Sequence, residues 1–180
     1  MNRKNNSQLL KICFAAMFAA LICVATMIIR IPSPLGGYIN FGDTFIILAG
    51  WMMGPVYGFA AGGIGSAFAD LFAGYAAYVP GTFIIKGFMA TAAWIIYDGF
   101  SKRGRFCFKI RRFTAASCAE AIMIIGYYFY AAVPMGEGGA AVLTIIPNIV
   151  QGFMGFIGSL IISAILERTG IFSKFSSLFK

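Results

Sequence analysis

Long apolar runs alternate with short polar breaks along the whole chain. The first run, about residues 8–29, is long enough to cross a hydrocarbon core of about 30 Å as a helix. "RIPSPLGGYIN" ends it, with two prolines and two glycines. From Asp43 to Val79 the chain is again apolar, too long for one helix and short for two ordinary ones. The natural break is Met53-Gly54-Pro55, because proline is tolerated in the first turn of a helix and not inside one. This predicts a short second segment over 43–53 and a full third one over 55–77. "YVPGT" (Tyr78–Thr82) is the next turn, followed by segments at about 82–100, 113–132 and 141–166. The pattern predicts an all-α integral membrane protein, one membrane domain over 1–180 with six transmembrane helices.

Composition agrees: 60% of residues are hydrophobic and 11% charged, too few polar residues to cover a soluble surface. The formal net charge is +8. Its placement argues against a nucleic-acid partner, because the basic residues cluster at the two termini and in the linker holding Lys102, Arg103, Arg105, Lys109, Arg111 and Arg112. Such clusters mark the cytoplasmic side and contact the lipid bilayer. Six spans place both termini and this linker there, and loops 31–42, 78–81 and 133–140 outside. The first segment shows no cleavage pattern and reads as a retained helix.

There are no histidines, and the four cysteines form no C-x-x-C pair, so no metal site and no cofactor is expected. The chain has no G-x-x-x-x-G-K-[ST] phosphate loop, no nucleophile elbow and no H-E-x-x-H, so it is read as neither an ATPase nor an enzyme. No inverted repeat with matched broken helices stands out, which weakens an ordinary secondary carrier.

Charged groups inside a membrane are costly and mark function. At a rise of about 1.5 Å per residue, Asp70 lies roughly 22 Å from the inner face and Lys86 roughly 8 Å below the outer end of its helix. Asp43 opens the second segment. Asn148 and Gln151 share one face of the last, being three residues apart. These five groups fall at one outer depth, with Tyr38, Tyr75, Tyr78, Tyr127, Tyr128, Tyr130 and Trp51 placed to join them. They define an outward pocket for a flat, polar-rimmed ligand. The bland alternatives are an Asp70–Lys86 structural ion pair and an interfacial aromatic belt. Asp43 is equally a helix N-cap or a ligand contact. Glu120 falls outside the cluster: it snorkels, pairs with a basic linker residue or faces a partner. Small residues recur at every fourth position: Ala15/Ala19 and Ala16/Ala20 in the first segment, Gly54 to Asp70 in the third, Gly155, Ser159 and Ser163 in the last. The latter two ridges suit packing within the chain, and the first suits either that or a partner helix.

The stretches Y-x-N-x-G-D (Tyr38–Asp43), P-G-T-x-x-x-K (Pro80–Lys86) and P-N-x-x-Q (Pro147–Gln151), with "AAMFAA" near the N-terminus, resemble the substrate-binding S components of energy-coupling factor (ECF) transporters over about residues 8–168. The resemblance implies a vitamin-binding subunit in a bacterial plasma membrane, whose partners are a transmembrane coupling subunit and two cytoplasmic ATPases. It implies binding by Tyr38, Asn40, Asp43, Lys86, Asn148 and Gln151, to which the depth argument adds Asp70 and Tyr78. It implies docking on the coupling subunit through Ala15, Ala16, Ala19 and Ala20. The chain looks most like the branch for vitamin B6 compounds or hydroxymethylpyrimidine. A riboflavin binder is the alternative, and a stand-alone ion-coupled carrier using Asp70 and Lys86 the alternative of another class.

Overall fold

A computed structural model describes residues 3–33, 37–102 and 108–179, with side chains from 6–33, 37–100 and 110–179. Much of the basic linker, including Arg103 and Arg105, lies outside these residues, as do the side chains of Lys102 and Lys109 and of Arg3 and Lys4 at the N-terminus. The helices are α1 (Arg3–Ile28), α2 (Gly42–Phe72), α3 (Val79–Lys102), α4 (Phe108–Ala132), α5 (Ile145–Arg168) and α6 (Ile171–Phe179). Five of them contain stretches long and apolar enough to cross a membrane. Many large apolar side chains, among them Ile28, Val56, Phe72, Ile146 and Phe153, are exposed on the bundle's outside, as a lipid-facing surface requires.

The second helix is two arms. At Gly54 the backbone takes φ 79° and ψ −175°, a conformation open to glycine and costly for any other residue, and Pro55 starts the second arm. The chain doubles back there. A methyl group at Gly58 would stand 3.0 Å from the Gly50 Cα, and one at Gly62 would stand 3.2 Å from Ile46 Cγ2. Gly50 itself presses on the Ala90 backbone of α3, where a methyl group would lie 3.1 Å from the carbonyl carbon. The small-residue ridges of the second arm and of α5 thus pack within the chain, with Ser66, Ser159 and Ser163 buried.

Several boundaries differ from the sequence reading. The second arm ends at Phe72, and residues 73–78 turn back through Gly74 at φ 84°. Helix α3 then begins at Val79 and takes Pro80 into its first turn, so "VPGT" is helix rather than turn. A 3-10 helix, Gly138–Thr144, precedes α5. The loop after α1 holds a minimal antiparallel ladder, β1 (Ile31–Pro32) with β2 (Tyr38–Ile39).

The two ends of the bundle differ. At one, the loop of β2, the 73–78 turn and the end of α4 meet through Tyr38, Tyr75, Tyr78 and Tyr130, with adjacent ring centroids 5.0 to 6.3 Å apart. At the other, α6 lies across α1, the Gly54 reversal and α4. Phe175 packs on Phe14 and Phe18, Phe179 on Tyr57, and Phe172 on Tyr97 and the Arg112 guanidinium.

Candidate ligand site

The tyrosine end opens into a cavity of about 50 Å³. Its lining includes Tyr38, Asn40, Asp70, Tyr75, Tyr78, Thr82, Tyr127, Asn148 and Gln151, gathered from the β2 loop, the 73–78 turn and helices α2 to α5. Local sequence explains the placement. The β ladder and the Ser33 N–H to Gly37 carbonyl bond of 2.8 Å close the loop on itself. Asn40 then turns the chain into α2, its Oδ1 accepting the Gly42 N–H at 2.9 Å. Only glycine fits at 42, because a β-carbon would overlap the Thr26 hydroxyl of α1.

Beneath the cavity lies a chain of polar contacts. Gln151 Oε1 accepts from the Asn40 backbone N–H at 3.0 Å and from Asn40 Nδ2 at 2.9 Å. Gln151 Nε2 donates to Asp43 Oδ2 at 2.7 Å. The other Asp43 oxygen receives the Lys86 ammonium, which also faces the Tyr127 ring. Asp43, Lys86 and Gln151 are all almost completely buried. Each polar atom of Gln151 has a partner, as burial demands. Across the cavity the Tyr38 hydroxyl donates to Asp70 Oδ1 at 2.7 Å, and Thr82 and Tyr127 share a bond of 3.0 Å. Burial, then the Asp70 charge, pushes the pKa of the Tyr38 hydroxyl well above its ordinary value, so it stays a donor.

Of the eight residues named from sequence, Tyr38, Asn40, Asp70, Tyr78, Asn148 and Gln151 line the cavity. Asp43 and Lys86 sit one layer below, holding Gln151. The Asp70–Lys86 ion pair does not form: Lys86 pairs with Asp43. Nor is Asp43 an N-cap, since α2 starts without a side-chain cap and the Asp43 carboxylate is taken by Lys86 and Gln151. Trp51 lies at the opposite end against Tyr97 and Arg112, so it does not join the cluster. Tyr128 packs on Phe129, and Tyr130 reaches the Ala77 carbonyl at 2.7 Å; neither lines the cavity. Glu120 is neither snorkelling nor linker-paired: it is buried in the bundle, and Arg112 bonds Glu167 at 3.2 Å. Sequence reasoning passed over Thr82 and Thr144. Thr82 was legible, standing four residues before Lys86 on the same helical face.

A second concavity, about 690 Å³ and almost wholly apolar, runs between α1 and the second arm of α2. Ala15, Ala16, Ala19 and Ala20 line it with Val56, Tyr57, Ala60, Ile64 and Phe68. Ala16 and Ala20 are exposed there, while Ala15 is nearly buried and the Ala19 carbonyl touches Gly65. No cluster of three or more potential metal ligands exists among the described residues.

A bundle of lipid-facing helices around a polar, tyrosine-rimmed cavity defines a multi-pass membrane protein built to hold a small molecule. Comparison with known proteins identifies which one it resembles in kind. The family model of the ECF-type riboflavin transporter, S component, matches residues 6–168, and the chain belongs to this family. It is therefore a transporter subunit for vitamin or vitamin-precursor uptake, of a family that is not enzymatic. It is 36% identical over 137 residues to an uncharacterized protein of Pyrococcus woesei, covering 76% of this chain and 87% of that one. It is 27% identical over 177 residues to the thiamine precursor transporter HmpT of Lactococcus lactis subsp. cremoris, covering 97% of this chain and 98% of that one.

Proposed function

We propose that the chain captures a single-ring heterocyclic vitamin or precursor, hydroxymethylpyrimidine or a vitamin B6 compound, in the cavity between Tyr38 and Gln151. The size and lining of that cavity carry the reading. A space of about 50 Å³ must widen for any ligand, least for one six-membered ring and most for a tricyclic flavin. Tyrosine rings offer stacking faces, while Asn148, Asn40 and Gln151 offer donors and acceptors to ring nitrogens and hydroxyls. The near full-length likeness to HmpT supports the pyrimidine. The description of the matching family favours riboflavin as the second reading.

On this reading the chain is one membrane domain crossing the bilayer six times, with the two arms of α2 as separate passes. Both termini face the cytoplasm and the cavity faces outward, in the plasma membrane of a bacterium. Energy comes from two ATPase subunits through a transmembrane coupling subunit, which seats on the Ala15/Ala16/Ala19/Ala20 groove. A groove so apolar suits a partner helix inside the bilayer, where close packing drives association.

Mass spectrometry of ligand released from the denatured, purified protein tests the substrate, followed by calorimetry with hydroxymethylpyrimidine, pyridoxine and riboflavin. Stoichiometric pyrimidine or pyridoxine is expected. Riboflavin as the sole tight ligand would replace the leading reading with the second.

A further inference from the structure

The pocket leaves one buried acid unused. Glu120, midway along α4, is 5% exposed, and neither carboxyl oxygen has a hydrogen-bond partner among the described residues. Every element packed against it withholds a donor. Helix α5 presents Gly152 and Gly155: a methyl group at Gly152 would stand 3.3 Å from Glu120 Oε2, and one at Gly155 would overlap Oε1. The same methyl group would stand 2.7 Å from the Asp43 β-carbon, so the two acids face each other across Gly155. From α2 comes Asp43, and from α3 comes Lys86, already committed to Asp43. On α4 itself Met123 lies beside it. Arg112, two turns away, is bonded to Glu167, and Tyr127, two turns the other way, bonds Thr82.

The charges therefore do not balance if all three groups ionise: one ammonium would serve two buried carboxylates. An ionised carboxylate left there without a donor costs several kcal/mol, far more than taking up a counter-charge. The smallest counter-charge is a proton, and the described residues gather no set of ligands there for a metal ion.

We propose that Glu120 is a proton-binding site coupled to the ligand cavity. The link is short. Gln151 lines the cavity and donates to Asp43, and Asp43 holds Lys86. With Glu120 protonated, Asp43 keeps Lys86 and Gln151 stays aimed. Loss of the proton sets a second negative charge beside Asp43, which competes for Lys86 and loosens the floor of the cavity. Ligand binding favours the protonated form, and by reciprocity ligand tightens the hold on the proton.

The ligand arm rests on the reading that the cavity binds hydroxymethylpyrimidine, so the test has an arm that needs no ligand. Infrared spectra of the full chain in lipid nanodiscs would compare wild type with Glu120→Gln at neutral pH. A protonated-carboxyl band present in wild type and missing from Glu120→Gln is expected, and its absence from wild type overturns the proposal whatever the ligand does. Should Glu120→Gln not fold, the band must shift in Glu120→Asp and fade as wild type is titrated to high pH; an unmoved band overturns the assignment. In calorimetry, wild-type affinity for hydroxymethylpyrimidine should fall about tenfold per pH unit once Glu120 ionises, the limit for one linked proton. Glu120→Gln should stay flat over the same range. Identical profiles overturn the coupling, and a profile moved by sodium chloride at constant pH overturns the proton in favour of a metal cation. If neither protein binds the pyrimidine, the substrate reading falls and the infrared arm alone decides the proton site.

Discussion

Gln151 joins the cavity to the ion pair beneath it, and residues on either side of it should separate binding from stability. Asn148 lines the cavity and is not a member of the polar chain below. Asn148→Ala should weaken ligand binding by about tenfold, the worth of one lost hydrogen bond to a buried ligand, with an unchanged thermal midpoint. Calorimetry beside a melting curve checks both. Lys86→Met should act the other way round, leaving the buried Asp43 carboxylate unpaired at a cost of about 3–5 kcal/mol. Adding Asp43→Asn to Lys86→Met should recover much of that loss in detergent unfolding, since neither charge then remains. Additive losses would show that the pair does not act as a unit. These residues were legible because polar groups in apolar runs are few, so their depths alone bring them together. Depth carries no azimuth, however. Rise per residue put Asp70 and Lys86 at one level without showing that Lys86 turns to Asp43. It set Glu120 apart by level when its direction, toward Gly152 and Gly155, decides its neighbours.

Among the elements, the reversal at Gly54 was legible because glycine and proline act locally: one permits the positive φ and the other starts the next helix. Gly54→Ala should therefore cost roughly 1–3 kcal/mol through backbone strain alone, seen as a lower thermal midpoint with little change in ligand affinity. The site lies at the far end of both arms, so an equal loss of binding would mean that the reversal communicates with the cavity. Other boundaries depended on tertiary structure. "YVPGT" has turn composition, but Pro80 is harmless in a first turn, and Tyr78 accepts the Thr82 N–H at 2.8 Å through its carbonyl. Helix α6 is nine residues long and polar on one side, too short to stand out as an apolar run. What holds it is a set of distant aromatic partners, Phe14, Phe18, Tyr57 and Tyr97, which no local pattern announces.

At the scale of the whole molecule, the polar cavity and the alanine groove are separate surfaces, and a subunit that both holds a ligand and seats on a partner needs that separation. The alanine spacing was legible, but its division of labour was not. The inner members, Ala15 and Ala19, bring α1 onto the second arm of α2, whereas Ala16 and Ala20 stay exposed on the groove. Enlarging an inner alanine would wedge the two helices apart and confuse a docking defect with a folding one. Enlarging an outer alanine fills only the groove. Ala16→Leu and Ala20→Leu should each abolish vitamin uptake by cells that supply the energising subunits, while the purified variants keep their melting temperature and bind ligand within about threefold of wild type, a difference below 1 kcal/mol. Pull-down of the coupling subunit should fall in step with uptake. Retained uptake would move the docking surface elsewhere. Ligand affinity lost in step with uptake would mean that the groove and the cavity are one mechanical unit, and that seating on the partner also works the tyrosine end.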